Sequence, residues 1–451
     1  MKKIYFSIIA SFLVIGTLTL VNSCQQSVEQ QMDSFQIIQG QILDKNCATS
    51  GCHASPNDGS FKQHGLVLEK SVAFANLVNV IPNNANAKKD GLLRVKPFKA
   101  DQSLLFHKLQ QTPSTHHSSD YGNPMPLGLS PLRNGQIEFI RRWIEAGAPE
   151  KGSVVDEAVL GDSSITYPKF EALAIPNSNQ GLQLILPTFE VAPNFERELF
   201  YYKAVGNKEP LLVNRVEIKM RAGSHHFILY GFEANTPAAV IPRPEVIRDL
   251  REPNGAYNFA NVLTMGYHVF WAGTQTPYHN YTFPEGTALE IPANFYFDMN
   301  SHYVNKGATP IPGEVSVNLY TVPASQVRRK VSVINWGNNS LNLPPNQRTT
   351  ATRTFRVNKR TVIVSLTSHM HKLGEKFVIK IAGGARNGEV VYTANDWEHP
   401  DILNFAQPII LNAGEGLTSE ITYNNTTSRT VRFGLTSEDE MGIIFGYYYE
   451  E

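Results

Sequence analysis

Residues 223–232 read GSHHFILYGF. After the two histidines the run is aromatic and β-branched, and it closes on a glycine and a phenylalanine. That composition fits a short, half-buried β-strand. Similar runs recur on both sides: LQLILPTFEV, LLVNRVEIKM, ALEIPANFYFDMNSHYV and EVSVNLYTV, then RTFRVNKRTVIVSLTSHMH, KFVIKIAG, EVVYTAND, QPIILNAG, LTSEITYNN, TVRFGLTS and MGIIFGYYY. Gly, Pro and Asn separate them, as turns between strands require. Runs of this length and spacing predict a mainly β fold of two antiparallel sandwiches. The first is expected over 171–328 and the second over 329–451, divided near VPASQVRRK.

The chain has 451 residues, room for two or three separate cores. Its 40 basic residues balance 40 acidic ones, which gives no electrostatic basis for nucleic-acid binding. Cysteine occurs only at 24, 47 and 52, so no disulfide can form after residue 52. The β-rich part must rest on its cores.

Residues 1–23 read as an export signal: Lys2 and Lys3 precede an apolar run that ends VNSC. The small residue before Cys24 resembles a bacterial lipobox, which makes Cys24 a lipid-bearing residue and 24–32 a polar tether. The expected location is the cell envelope, with a membrane as partner through the lipid. A plain signal peptide or an uncleaved anchor is the alternative.

Residues 33–150 read as a small α-helical unit, closed by NGQIEFIRRWIEAGAPE (134–150) with apolar residues at helical spacing. Residues 151–170 lack any period and read as a linker. Within the helical unit lies DKNCATSGCHASP (44–56). Thiols at Cys47 and Cys52 can join haem vinyl groups, and His53 can then ligate the iron. The usual attachment motif has two residues between the cysteines; here there are four. With GLVLE after the histidine, a Pro-flanked Met125 and the WIEAGAP helix, the unit resembles small c-type cytochrome domains. That resemblance implies haem c, with Met125 as the second axial ligand and a raised reduction potential. A Cys47–Cys52 disulfide is the competing reading. His64, His107, His116 and His117 are other possible ligands, each read as a surface histidine.

Three further stretches bear on metal binding. His302 lies in FDMNSHYVN, His369 and His371 in SLTSHMHKLGEKF, and Met441 in TSEDEMGIIFGYYYE. Two residues apart on a strand point to one face, so His369 and His371 can chelate one ion. A thioether favours Cu(I), and imidazole accepts both copper states. His225 and His226 would face opposite ways on a regular strand; they share a metal only where the strand is distorted or ends.

The order and flanks of these motifs, together with FWAGTQ (270–275), FPEGTALEIP, LNAGEGL and TYNN (422–425), resemble the copper type II, ascorbate-dependent monooxygenases. The resemblance covers roughly 165–451. It implies two copper ions: His225, His226 and His302 on an electron-relay copper, and His369, His371 and Met441 on the copper that meets O2 and substrate. It implies two jelly-roll-like sandwiches facing each other across a wet cleft, a C–H hydroxylase activity on a small organic substrate, and an external electron donor. The fused haem unit is the expected conduit. Two departures stand out: the region lacks the disulfides of the animal enzymes, and Gly442 stands where they have Cys. His268, His279 and His399 are read as structural or surface residues, the first two flanking the expected cleft. A surface lipoprotein that only stores or passes electrons is the alternative, and a structural or glycan-binding sandwich is the third.

Overall fold

The computed structural model describes residues 31–50, 52–58, 61, 64–110, 121–127, 129–167, 170–221, 224–307, 309–395, 397, 400–436 and 438–451. The expected signal, Cys24, His116, His117 and His399 lie outside the described residues.

The first part is helical. Short helices Ser34–Ile37, Ile38–Leu43 (a π turn) and Asp44–Asn46 run continuously, and a longer helix spans Asn134–Glu145. Gln136 accepts the Arg133 backbone N–H at the start of that helix, and Gly147 (φ +99°) turns the chain at its end, where the left-handed region favours glycine. Phe139, Ile140, Trp143 and Ile144 are buried along one face. Trp143 packs on Phe35 with ring centroids 5.4 Å apart, which joins the two ends of the unit. Each such buried side chain contributes about 1.5–3 kcal/mol. The segment read as a linker partly belongs here: Asn134 N–H donates to Ser164 and Gly135 N–H to Asp162.

The rest is mainly β. The first half holds β1 (Gly181–Val191), β2 (Phe195–Ala204), β3 (Leu211–Met220), β4 (Ser224–Phe232) and β5 (Ile247–Asp249). It continues with β6 (His268–Thr274), β7 (Tyr278–Thr282), β8 (Thr287–Ile291), β9 (Tyr296–Asn305) and β10 (Ile311–Thr321). The second half holds β11 (Arg329–Gly337), β12 (Asn342–Leu343), β13 (Gln347–Arg356), β14 (Thr361–Met370) and β15 (Gly374–Ala382). It ends with β16 (Val390–Ala394), β17 (Leu403–Leu411), β18 (Gly416–Asn425), β19 (Val431–Arg432) and β20 (Gly442–Glu450). Two runs read as single strands each break in two. Asn294 (φ +54°), beside Pro292, separates β8 from β9, and the 357–360 turn separates β13 from β14.

A five-stranded sheet, β5-β2-β9-β4-β6, covers the first half, and a four-stranded sheet, β13-β18-β15-β16, covers the second. The opposing layer is shared. One nine-stranded sheet runs β1-β10-β3-β8-β11-β20-β14-β17, with β7 beside β3. Its two halves join where β8 and β11 pair in parallel, so the pairing is not wholly antiparallel and the sandwiches are not separate bodies. Two apolar cores form, the first of which draws in Val331, Val362, Val364 and Tyr447 of the second half. The expected wet cleft is absent where β6 meets β20: Phe270 stacks on Phe445 at 5.0 Å, and Tyr447 Oη–H donates to the Trp271 carbonyl at 2.5 Å.

Candidate metal centre

β4 and β9 build the first cluster. The register pairs His226 with His302 and Ser224 with Tyr303, so one extra residue on β4 is taken up between Ser224 and His226. This bulge is the distortion that adjacent histidines need: it re-aims His225 so that both imidazoles reach one place. The ligand atoms of His225, His226 and His302 all lie within 4.8 Å of one another. His225 Nδ1 and His226 Nδ1 are 3.1 Å apart. Nitrogens that each sit about 2 Å from one ion are separated by about that distance.

The surroundings fix which nitrogen each ring presents. Asn300 donates its side-chain N–H groups to Glu198 and to the Leu199 carbonyl, so its Oδ1 is left to accept. His226 Nε2–H donates to that oxygen at 2.9 Å, which leaves Nδ1 with the lone pair. His302 Nε2–H donates to Glu196 at 3.0 Å, so its Nδ1 is also the lone-pair atom. The His302 bond holds the Glu196 carboxyl below its ordinary pKa. Outer partners of this kind orient metal-binding imidazoles and raise their basicity.

The second group lies where β14 ends. His369 and His371 share a face, with ring centroids 5.1 Å apart. β20 pairs Met370 with Gly442, so Met441 arrives one step further on, level with His371. His371 Nδ1–H donates to the Asp439 carbonyl at 3.0 Å, which leaves Nε2 as the lone-pair atom, the opposite nitrogen from the first cluster. Glu440 is fully buried and ties the turn together: it accepts the His371 N–H at 2.9 Å and the Leu373 N–H at 2.7 Å. Tyr423 Oη–H donates to the Met441 carbonyl at 2.6 Å. Burial pushes the His369 imidazole down to about 3, helped by the charges of His371 and His226, and burial also lowers His371. Burial thus favours the neutral form of both rings, the form that binds a metal.

The other predicted residues fall as follows. His268 is built into structure: it donates to buried Asp298 at 2.9 Å, beside Arg248, and stacks on Tyr230 at 4.4 Å. His279 lines a small crevice between the halves with Tyr281, Ser365 and Thr367; the last two share the β14 face of His369. In the helical unit His53 Nδ1–H donates to the Leu66 carbonyl at 3.2 Å, leaving Nε2 as the lone-pair atom. Cys47 and Cys52 are thiols, not a disulfide. Burial, with Cys52 nearby, pushes the Cys47 thiol up to about 12. Met125 N–H donates to the Lys108 carbonyl at 2.6 Å, and the charge of Lys108 is felt at His53. His107 is buried and donates to the Asp101 carbonyl, so it is not the surface residue that was expected; His64 is half-buried.

Comparison with known proteins adds one family match, over the second half of the β-rich part. Residues 330–451 match the family model of the copper type II ascorbate-dependent monooxygenase C-terminal domain. His369, His371 and Met441 all lie within the matched residues, and the three-His cluster lies before them. No curated protein matches the chain. Among solved structures it is similar to the STIV major capsid protein (8% identity, TM-score 0.24, 59% of this chain and 95% of that one). It is also similar to the major capsid protein P2 of bacteriophage PM2 (9%, 0.22, 57% and 98%). A third is PNGase F, a glycosylasparaginase from Flavobacterium meningosepticum (9%, 0.19, 63% and 94%). Likeness this slight carries no argument.

Glu196, Asn300 and Glu440 were missed by sequence reasoning. Each comes from a different strand or turn than the histidine it bonds, and only Glu440 neighbours a predicted ligand, Met441.

Proposed function

We propose that the chain is a copper-dependent monooxygenase that hydroxylates a C–H bond of a small organic substrate with O2, and that it sits in the cell envelope on a lipid at Cys24. The observation that carries the reading is the pairing of two donor groups of different kinds. Three imidazoles converge on β4 and β9, and a His-x-His pair meets the approach of Met441 inside the matched domain. Imidazole and thioether together suit copper in both oxidation states. Copper held at the two places supplies O2 activation and one-electron storage.

The residues divide the remaining work. His225, His226 and His302 offer an all-nitrogen set, oriented by Asn300 and Glu196. His369, His371 and Met441 offer a softer set, kept unprotonated by burial. Ser365 and Thr367 extend the His369 face towards the small crevice between the halves and offer two hydroxyls there. In the helical unit, His53, Met125 and the thiols of Cys47 and Cys52 are the residues that would hold a covalently attached haem, which would supply one-electron storage. That unit is the proposed source of electrons.

The test is oxygen incorporation. The chain, matured in an exporting host and loaded with copper, is supplied with 18O2, a reductant and a panel of small organic compounds. A product carrying one 18O atom, lost in His369→Ala, is the expected result. Two bound coppers with O2 uptake but no labelled product would sink the monooxygenase reading.

A further inference from the structure

Among the described residues of the helical unit, Phe98 is the most exposed large apolar side chain, at 66%. Its backbone is left-handed (φ +67°), a region uncommon for residues other than glycine. Its N–H donates to the Ile144 carbonyl at 2.8 Å. Its ring lies over Gly147, where an added Cβ would stand 2.7 Å from Phe98 Cζ. Two special backbone positions thus hold an aromatic ring at the surface, where the hydrophobic effect alone would not leave it. An outlier of this kind points towards function.

The chain's route to Cys24 leaves from the same end of the unit. Trp143 Nε1–H donates to the Pro149 carbonyl, which folds the chain back over the end of the Asn134–Glu145 helix. Gly152 N–H then donates to Asp33 Oδ1 at 2.7 Å, Ser34 N–H to the Gly152 carbonyl at 3.0 Å, and Val154 N–H to Ser34 Oγ at 2.9 Å. Phe98, Val154 and Met32, all exposed, therefore stand around one end of the unit. Eight residue steps separate Cys24 from Met32, a reach of at most about 29 Å. A lipid on Cys24 would keep its bilayer within that distance of this end. Charge here is mixed: Lys99 and Lys151 stand against Glu150 and Asp33, with Lys151 Nζ 3.7 Å from Asp33. Such a surface can insert apolar side chains but has no net attraction for anionic headgroups.

We infer that this end of the helical unit is a membrane-docking face. Phe98, Val154 and Met32 enter the headgroup–acyl boundary of the bilayer that holds the lipid on Cys24, so the chain lies against the membrane in a set orientation instead of swinging on its tether. The inference rests on the lipid reading above. The contact is apolar and needs no anionic lipid. A bilayer is favoured over a protein partner because the short chain to Cys24 brings the bilayer to this end in every copy.

The test uses the full acylated chain, matured in an exporting host and reconstituted in phosphatidylcholine vesicles whose acyl chains are brominated near the headgroup. Phe98→Trp places an indole at the face. Phe259→Trp, at an exposed aromatic of the first sandwich between β5 and β6, is the control. The expected result is that bromolipid removes most of the emission added by Phe98→Trp and leaves that added by Phe259→Trp unchanged, at low and high salt alike. Should Phe98→Trp not fold, Val154→Trp decides in its place. An acylated chain that floats with the vesicles but shows no quenching at the face, or equal quenching at both positions, overturns the docking inference alone. Emission from Phe98→Trp that shifts to the blue with protein concentration, and not with lipid, assigns the face to a second copy and overturns it too. A chain that matures without lipid on Cys24, shown by its mass, overturns the lipid reading and the inference with it.

Discussion

His226 and His302 face each other across β4 and β9, and the bulge beside Ser224 brings His225 to the same point. The cluster thus depends on one register. His302→Ala removes a donor from its centre without touching β14 or β20. Copper per chain should fall by one, with the ion at His369, His371 and Met441 retained; metal analysis and the cupric spectrum check it. Loss of both ions would mean that the two groups are not independent.

Glu196 acts on the ion through His302. Replacing it by Gln or Ala weakens the acceptor that fixes Nδ1 as the donor atom. Removing such partners costs roughly 10- to 100-fold in metal affinity. Competition against a copper chelator should show that loss at the three-His centre alone. Unchanged affinity in Glu196→Ala would make the contact incidental.

Burial pushes the Glu440 carboxyl up to about 7 from its ordinary 4.5. The folded, metal-free chain therefore holds this proton more tightly than the unfolded chain. Stability is highest below pH 4.5 for this group, falls as pH rises from 4.5 to about 7, and is then level. The loss is on the order of 3 kcal/mol at most. Glu440→Gln should flatten that part of the stability–pH curve, measured by urea unfolding of chelator-treated protein. A slope of the same size in the variant would assign it to another group.

Gly442 stands against Ile421 and Tyr423, where any Cβ would collide with both. Gly442→Cys, which would restore the residue of the animal enzymes, should destabilise the second half by about 1–3 kcal/mol through overpacking. Thermal unfolding measures it. A variant as stable as the parent would show that Ile421 can move aside.

Cys47 is buried and its thiol is held neutral, whereas Cys52 is half-buried. In protein made without haem maturation, iodoacetamide should label Cys52 well before Cys47, because the thiolate is the reactive form. Mass spectrometry of timed samples reads the order. Equal rates would mean that the unit opens faster than it reacts.

Much of this was legible locally. The alternation of β14 put His369 and His371 on one face, and the β-rich composition gave the class of fold. The three-His cluster was only half legible. The need for a distorted strand followed from His225 and His226, but the bulge itself depends on how β4 meets β9. Glu196 stands 106 residues from His302 and Glu440 69 from His371; partners so remote leave no local pattern. The parallel pairing of β8 with β11 was hidden because β8 merges in sequence with β9 into one apolar run, and only Asn294 and Pro292 mark the break.

The shared nine-stranded sheet has a consequence for motion. Closing one half onto the other would require the β8–β11 hydrogen bonds to break. Hinge movement is thereby denied to the β-rich part, and the gap between the two donor groups is a fixed length set by backbone geometry. Heating should melt both halves in a single cooperative step.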